Sequence, residues 1–459
     1  MNKNTTFTQG KILQPLILFA LPVLLALFLQ AMYGAVDLLI VGKFAHPEDV
    51  SAVSTGSQIM MTLTNLVSSF AMGTTILLGQ QIGCGERQKG GRTVGTAIVM
   101  FIGIALVMTA LLVFFAPQLS SLMNAPEEAF NKTVAYVRIC GGGMLVIIAY
   151  NLIGCIFRGL GDSRTPLLTV AIACVCNIFG DLLLCAGFKM GTEGAAYATV
   201  FAQVISVVVS FAVIRRKELP FDMKRSDLKI HGWTLRKMIG LGAPIALQDL
   251  LVSISFLIIL AIVNSMGLIA SAGVGVAEKV CAFIMLISSA FMQSISAFVA
   301  QNYGAGHMER ARKALYYGTG VSLLIGVGMF FLSFFHGDIL AGIFSSDASV
   351  IAAAADYLKA YAIDCMFTAV FFCYIGFYNG IGMTKFVMIQ GIVGAFAVRV
   401  PFSYAMSIQP EPSLFHIGLA TPFSSILQLM MCVAFMGYIK KKHIGEKRSQ
   451  EEVSMEKNY

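Results

Sequence analysis

Asp37 and Asp181 are carboxylates set inside apolar stretches that are otherwise cleared of charge. Asp37 closes a run that begins at Leu21-Pro22, and Asp181 follows Cys174-Val175-Cys176-Asn177-Ile178-Phe179-Gly180. A carboxylate at bilayer depth costs about 2.5–3.5 kcal/mol on insertion scales, so such a group ordinarily faces a cavity and works there. Two chemistries suit the pair. With an amide and a hydroxyl beside them, two carboxylates offer oxygen ligands to a hard cation such as Na⁺. Held close together they also make a coupled proton site, because neighbouring like charges raise one pKa toward the working range. The residue types alone do not choose between Na⁺ and H⁺. Plainer roles stand beside both: Asp37 could cap a helix or snorkel to an interface, and Asn177 with Asp181 could form a structural hydrogen-bonded pair.

Helical spacing places these residues. Pro22, Ala26, Gln30, Tyr33 and Asp37 recur every three or four positions and share one stripe of a helix. Asn177 and Asp181 are i, i+4 neighbours on one face. Counted inward from the outer ends of their apolar runs at 1.5 Å per residue, both acids lie within roughly 10 Å of the same boundary. The next run enters near Thr192 and brings Tyr197 and Thr199 to that level. Gln30 and Tyr33 read as packing or general cavity lining.

The elements that must carry this stripe are membrane spans. Charged residues make up 12% of the 459 and hydrophobic residues 57%, against about 25% charged in soluble domains. Twelve apolar windows of membrane length lie at 13–41, 56–82, 93–116, 135–156, 166–187, 192–214, 240–263, 272–300, 315–336, 357–380, 386–408 and 415–438. An all-α polytopic membrane protein of twelve transmembrane helices is expected. Residues 1–10 are polar and the first apolar run is too long for a leader's core, so no cleavable leader is expected. With the N-terminus inside, 25 of the 32 basic residues fall on the cytoplasmic side, as the positive-inside rule requires. The net charge of +8 is therefore a topology signal with both termini cytoplasmic, and no nucleic-acid partner is expected. The ten cysteines are scattered, mostly within apolar runs, without metal-ligand spacing. The six histidines fall in loops or near span ends, away from any proton path through the membrane.

The chain also repeats itself. Gly79-Gln80-Gln81-Ile82-Gly83-Cys84-Gly85 has its counterpart in Ala300-Gln301-Asn302-Tyr303-Gly304-Ala305-Gly306, and Gln80 and Gln301 lie 221 apart. Arg158-Gly159-Leu160-Gly161-Asp162 is matched by Asn379-Gly380-Ile381-Gly382-Met383, and Gly161 and Gly382 again lie 221 apart. Pro22 and Pro244, early in the first helix of each half, lie 222 apart. Six spans per half is an even number, so both halves run the same way through the membrane, as in transporters built from parallel repeats. The expected organisation is a first lobe at 1–214, a charged cytoplasmic linker at 215–239, a second lobe at 240–438 and a polar tail at 439–459. A central cleft is expected between the lobes.

The acids are not repeated. The counterpart of Asp37 at offset 222 is Ile259, and that of Asp181 at offset 221 is Phe402. Second-half charges sit instead at Asp249, Glu278, Lys279, Asp364 and Arg399. These read as structural, with Asp364 available as the partner that a deep Arg399 needs.

Taken together these residues resemble the multidrug and toxic compound extrusion (MATE) family, in its NorM/DinF-type prokaryotic branch. The resemblance runs over essentially the whole chain. It rests on the two glutamine-bearing turns, on Arg158-Gly159-Leu160-Gly161-Asp162-Ser163-Arg164-Thr165-Pro166, and on Leu21-Pro22 followed by Tyr33-x-x-x-Asp37. It implies two six-helix lobes and a secondary active antiporter, not an enzyme, that exports cationic or amphipathic small molecules in exchange for Na⁺ or H⁺. It also implies a coupling site of Asp37, Asn177, Asp181 and Thr199, with Pro22 at a bend of the first helix and Tyr33 nearby. No cofactor beyond the coupling ion is implied. A monomer in a bacterial or archaeal cell membrane is expected. The NorM type carries further acids in helices 7 and 10; counted back from Asn379-Gly380, the helix-10 acid would fall near Thr368, a turn from Asp364. A lipid-linked oligosaccharide flippase of the same superfamily is the alternative, but a pyrophosphate head calls for cations where the first half places acids. Gly159-Leu160-Gly161-Asp162 also matches the Gly-x-Gly-Asp string of intramembrane aspartyl proteases, although no second acid lies at its depth.

Overall fold

A computed structural model describes residues 7–221 and 223–456. The long elements in chain order are α1 Leu13–Phe44, α2 Pro47–Gly83, α3 Arg87–Phe114, α5 Glu127–Gly142, α6 Met144–Gly159, α7 Arg164–Asp181 and α8 Gly191–Arg216. They continue as α9 Gly232–Asn264, α10 Leu268–Gly304, α11 Met308–Phe335, α13 Ala348–Gly380, α14 Thr384–Ile392, α15 Val400–Ser407 and α17 Ala420–Glu456. Short helices α4 Ala116–Leu122, α12 Gly337–Gly342 and α16 Leu414–Gly418 join them. Among the described residues eleven helical spans are long and apolar enough to cross a membrane, and the pair α5–α6, bent by 56°, supplies a twelfth. Helices suit this composition because every backbone polar group is then satisfied within its own segment. The seventh span starts at Gly232, and the last helix carries its backbone on to Glu456.

The turn glycines keep the repeat's spacing in three dimensions. Gly85 and Gly306 adopt φ of 73° and 76°, and Gly161 and Gly382 φ of 80° and 85°, each ending a helix in the left-handed region where a side chain is strained. Two π-helical turns break the regularity, at Leu182–Gly187 and Val393–Arg399. A π turn takes up a residue more than an α turn. The second falls after Gly382 in the second half, so equivalences after it move from offset 221 to offset 222 as far as Asp181, where the first half's own π turn begins.

The described chain forms two compact units. The first holds the chain up to Leu250 together with Met285–Gly318 and Ile375–Val387. Its apolar core runs through Val41, Val53, Ala71, Ile76, Ala97, Phe101, Val137 and Met144. At one end of it α2 and α10 cross with almost no space between backbones: a Cβ on Gly83 would lie 2.0 Å from the Gln301 carbonyl oxygen, and one on Gly304 2.0 Å from that of Gln80. The two glutamines reach across reciprocally. Gln80 Nε2 donates to the Gly380 carbonyl and Gln301 Nε2 to the Gly159 carbonyl, both at 2.9 Å. Beside this crossing Arg310 holds residues 7–11, donating to the carbonyls of Phe7, Gln9, Gly10 and Lys11 at 2.6–2.9 Å.

The second unit holds Leu251–Ile284, Thr319–Tyr374 and the chain from Met388 onward. Small residues bring its helices together: Gly273 packs on Ala353, and Gly326 on Ala369 and the Cys365 carbonyl. Gly394 packs on the Gln428 side chain in the same way.

Candidate functional site

In the first unit α1, α5, α7 and α8 meet around a buried polar pocket. Asp37 is 3% exposed, and Asn177 and Asp181 are fully buried. The three side chains face one another within interacting distance. Even so, Asp37 Oδ1, both oxygens of Asp181 and both polar atoms of Asn177 complete no hydrogen bond with the protein. Thr199 brings its Oγ1 and Tyr33 its hydroxyl to the same pocket, also without completed bonds. Asn177 and Asp181 lie one turn apart on α7, and Tyr33 and Asp37 one turn apart on α1. Unpaired buried polar atoms are costly, and five residues contribute them here, at Tyr33, Asp37, Asn177, Asp181 and Thr199.

Two further residues complete the pocket. Tyr136 and Cys140 on α5, 2% and 1% exposed, lie against Tyr33 and Asp37. Sequence reasoning passed over both, because α5 reads as the amphipathic front of a span. The signal that would have found them is the repeat, since Tyr136 and Tyr357 lie 221 apart. Tyr197, level with Thr199 on α8, turns outward at 48% exposure and is not part of the pocket.

Pro22 lies inside a continuous α1 and leaves the Leu18 carbonyl without its helical donor. Gln30 is exposed on the same helix and donates from Nε2 to the Tyr150 hydroxyl at 3.4 Å. It lines a separate small cavity of about 30 Å³ with Tyr150, Asn151, Arg158 and Gln293. Gln30 therefore belongs to that cavity and Tyr33 to the acid pocket. Asp249 on α9 accepts a hydrogen bond from the Ser69 hydroxyl of α2.

The second unit holds a pocket of the same design. Asp364 on α13 and Arg399 at the end of the π turn are 2% and 6% exposed. Thr368 Oγ1 donates to Asp364 Oδ2 at 2.7 Å. Arg399 donates from Nη1 to Ser255 Oγ at 3.3 Å, and its guanidinium lies 4.4 Å from the centre of the Phe256 ring. Asp364 and Arg399 act on each other electrostatically. Among the described residues, however, they form no direct ion pair, so the partnership read from sequence is one of field rather than contact. The π turn also corrects one equivalence: the position matching Asp181 is Ser403, fully buried, and not Phe402, whose ring packs at a tilt against Phe423. The same offset sets Arg399 opposite Asn177.

A family model described as MatE matches residues 22–183 and again 244–405, the two matches lying 222 apart at both ends. The chain belongs to the MatE family of multidrug efflux transporters, and its internal repeat is that family's unit used twice. It is similar to the probable multidrug resistance protein YpnP of Bacillus subtilis (strain 168), with 28% identity over 94% of this chain and 96% of that one. It is 23% identical to the probable multidrug resistance protein NorM of Thermotoga maritima, over 86% of each chain. Among solved structures, one described as the outward-facing conformation of a multidrug resistance MATE family transporter of the MOP superfamily superposes with a TM-score of 0.90. It is 17% identical, over 96% of this chain and 99% of that one, a likeness of fold.

Proposed function

We propose that this chain is a secondary active antiporter that exports cationic or amphipathic small molecules in exchange for Na⁺ or H⁺, coupled through Asp37 and Asp181. The observation that carries the reading is the first pocket: two facing carboxylates with an amide and a hydroxyl, each with a buried, unpaired polar atom, and without a basic side chain among the groups that act on the two acids. Two uncompensated carboxylates in an apolar interior are unstable as charges. A cation or a proton relieves that, and the oxygens of Asp37, Asn177, Asp181 and Thr199 are hard donors fit for Na⁺. Na⁺ would bind among these four; a proton would be shared between the two acids.

The chain's own residues then supply the coupling. A ligand shifts a conformational equilibrium only through its different affinity for the two states. Carboxylates whose access to water changes between states provide that difference. Neutralised acids favour the state in which their pocket is dry; freed acids favour the state in which water or a cationic cargo reaches them. The basic excess at span ends supports cytoplasmic termini, and the paired halves support a single chain as the working unit. An oligosaccharide-pyrophosphate cargo fits less well, because the pocket carries acids where that head group needs cations.

Asp37→Asn tests the reading. Efflux of a cationic dye from cells or everted vesicles is expected to fall to the level of membranes lacking the protein, at unchanged expression; full transport by the variant sinks the proposed role. Varying Na⁺ and the pH gradient independently, with wild-type protein, identifies the ion.

A further inference from the structure

The two pockets are one design carrying different charges. Tyr136 and Tyr357 lie 221 apart, and four more pairs lie 222 apart: Tyr33 with Ser255, Asn177 with Arg399, Asp181 with Ser403, and Thr199 with Thr421. The orphaned atoms follow the same map. Asp181, Asn177 and Thr199 Oγ1 lack partners in the first pocket; Ser403 Oγ, Arg399 Nε and Thr421 Oγ1 lack them in the second. What is not shared is the balance of charge. The first pocket has two acids, Asp37 and Asp181. In the second, Ile259 and Ser403 stand in their places, one acid enters from Asp364, and a guanidinium replaces the amide of Asn177.

We infer that Arg399 is a tethered counter-cation: it occupies in the second pocket the place that an exchangeable ion takes in the first, so that pocket carries no coupling ion. The inference rests on the coupling role proposed above for Asp37 and Asp181. Three features support it. Arg399 is buried, with Nη1 spent on Ser255, its guanidinium over Phe256 and Nε unpaired. Asp364 keeps Oδ1 unpaired while Thr368 satisfies Oδ2, which leaves one unpaired acceptor and one unpaired donor on two buried side chains that act on each other electrostatically. The tether itself is the π turn Val393–Arg399, which supplies the additional residue that sets Arg399 rather than its neighbour at this position. A guanidinium suits the task because it neither gives up its proton in the physiological range nor exchanges with Na⁺. The other titratable groups facing the pair are Glu278 and Cys281 of α10 and Tyr357, Tyr361 and Cys365 on Asp364's own helix.

Counting bound ions tests it, with Na⁺ by calorimetry and protons by unbuffered titration on full-length protein in detergent. Wild type is expected to bind one ion equivalent and Asp37→Asn none. Arg399→Gln is expected to gain one, and Arg399→Gln with Asp364→Asn to lose that gain; Arg399→Lys should remain at one, and Glu278→Gln should change nothing. In the Asp37→Asn background, Arg399→Gln should restore one ion, and the melting temperature should rise in NaCl relative to choline chloride, or with falling pH. If Asp37→Asn binds none and adding Arg399→Gln restores none, the inference is overturned while the coupling reading stands. If Asp37→Asn itself still binds its ion, the coupling reading fails. Should Arg399→Gln yield no folded protein in Na⁺-free buffer, recovery on adding NaCl or acid supports the inference. Failure in every buffer, with the double variant folded, overturns it.

Discussion

Asn177 and Arg399 occupy matching places in two copies of one helical unit, one a neutral amide beside two acids and the other a cation beside one. The scaffold around them has diverged as well. In the first copy the span opposite breaks at Gly143 into α5 and α6, where a Cβ would meet Val200 at 2.6 Å; in the second, α13 runs unbroken through Asp364, the residue 221 further on. At the crossing of α2 and α10, by contrast, the copies agree in close detail: the same glycines, the same glutamines and the same reciprocal bonds. Duplication kept the backbone contacts that two copies must make with each other and released the side chains that each copy uses alone. If only the first copy exchanges charge, as inferred above, the transporter has a single switch and the second copy is its electrically balanced frame.

If the crossing is symmetric in energy as in geometry, paired substitutions should cost the same. Gly83→Ala and Gly304→Ala each drive a methyl into a backbone carbonyl, which cannot rotate away. Overpacking of that kind costs about 1–3 kcal/mol, and both variants should lower the melting temperature in detergent by similar amounts. Gly103→Ala, with open space around it, should not. A large loss at one glycine and none at the other breaks the comparison.

Much of this was legible in the sequence. The spans, the repeat and the depth match of Asp37 with Asp181 follow from apolar length, from two loops at one offset and from the rise of a helix. The glutamines of the repeated turns were visible as landmarks, but their reciprocal bonds were not, because a motif does not say which carbonyl lies opposite. Tyr136 and Cys140 were missed because α5, short and amphipathic, reads as the front of a span rather than as a wall of the pocket. Phe402 was misassigned for a physical reason: offset 221 is right at the turns, and a π turn, invisible to periodicity, adds a residue before Ser403. Asp364 was seen, but its counterpart in the first half is a helix break, so no acid could have been matched to it.

Removing the glutamines probes the same symmetry more gently. Gln80→Ala and Gln301→Ala each delete one hydrogen bond to a turn carbonyl, worth about 1 kcal/mol and about fivefold in a conformational equilibrium. The native reporter is Cys84, an exposed thiol whose Sγ donates to the Gly304 carbonyl at 2.9 Å. Maleimide labelling of Cys84 should speed up by a similar factor in either single variant and by more in the double. Unequal single effects would mean that the reciprocal bonds are alike in length only.

The smallest effect is expected where the copies differ at a turn. Asp162 accepts the Arg164 and Thr165 backbone N–H groups at 3.0 and 3.1 Å and the Thr165 hydroxyl at 2.6 Å, capping α7, and it pairs with Lys217 at the end of α8. Its counterpart 221 residues on is Met383, which has no carboxylate to give. Burial pushes the Asp162 carboxyl up, but Lys217 and the Thr165 hydroxyl and N–H outweigh it and hold the group below the usual carboxylate range. A lowered folded-state pKa contributes stability that is fully present above the unfolded value, about 3.9, and is lost as pH falls through the folded one. Asp162→Asn should therefore lower the melting temperature at neutral pH by the equivalent of about 1 kcal/mol, a typical cap. The gap between variant and wild type should close in acid as the native carboxylate takes up its proton. Met383→Asn should show no such convergence. A gap that persists unchanged into acid would assign the contribution to the shape of the cap rather than to its charge, and that asymmetry between the copies would then be one of hydrogen bonding alone.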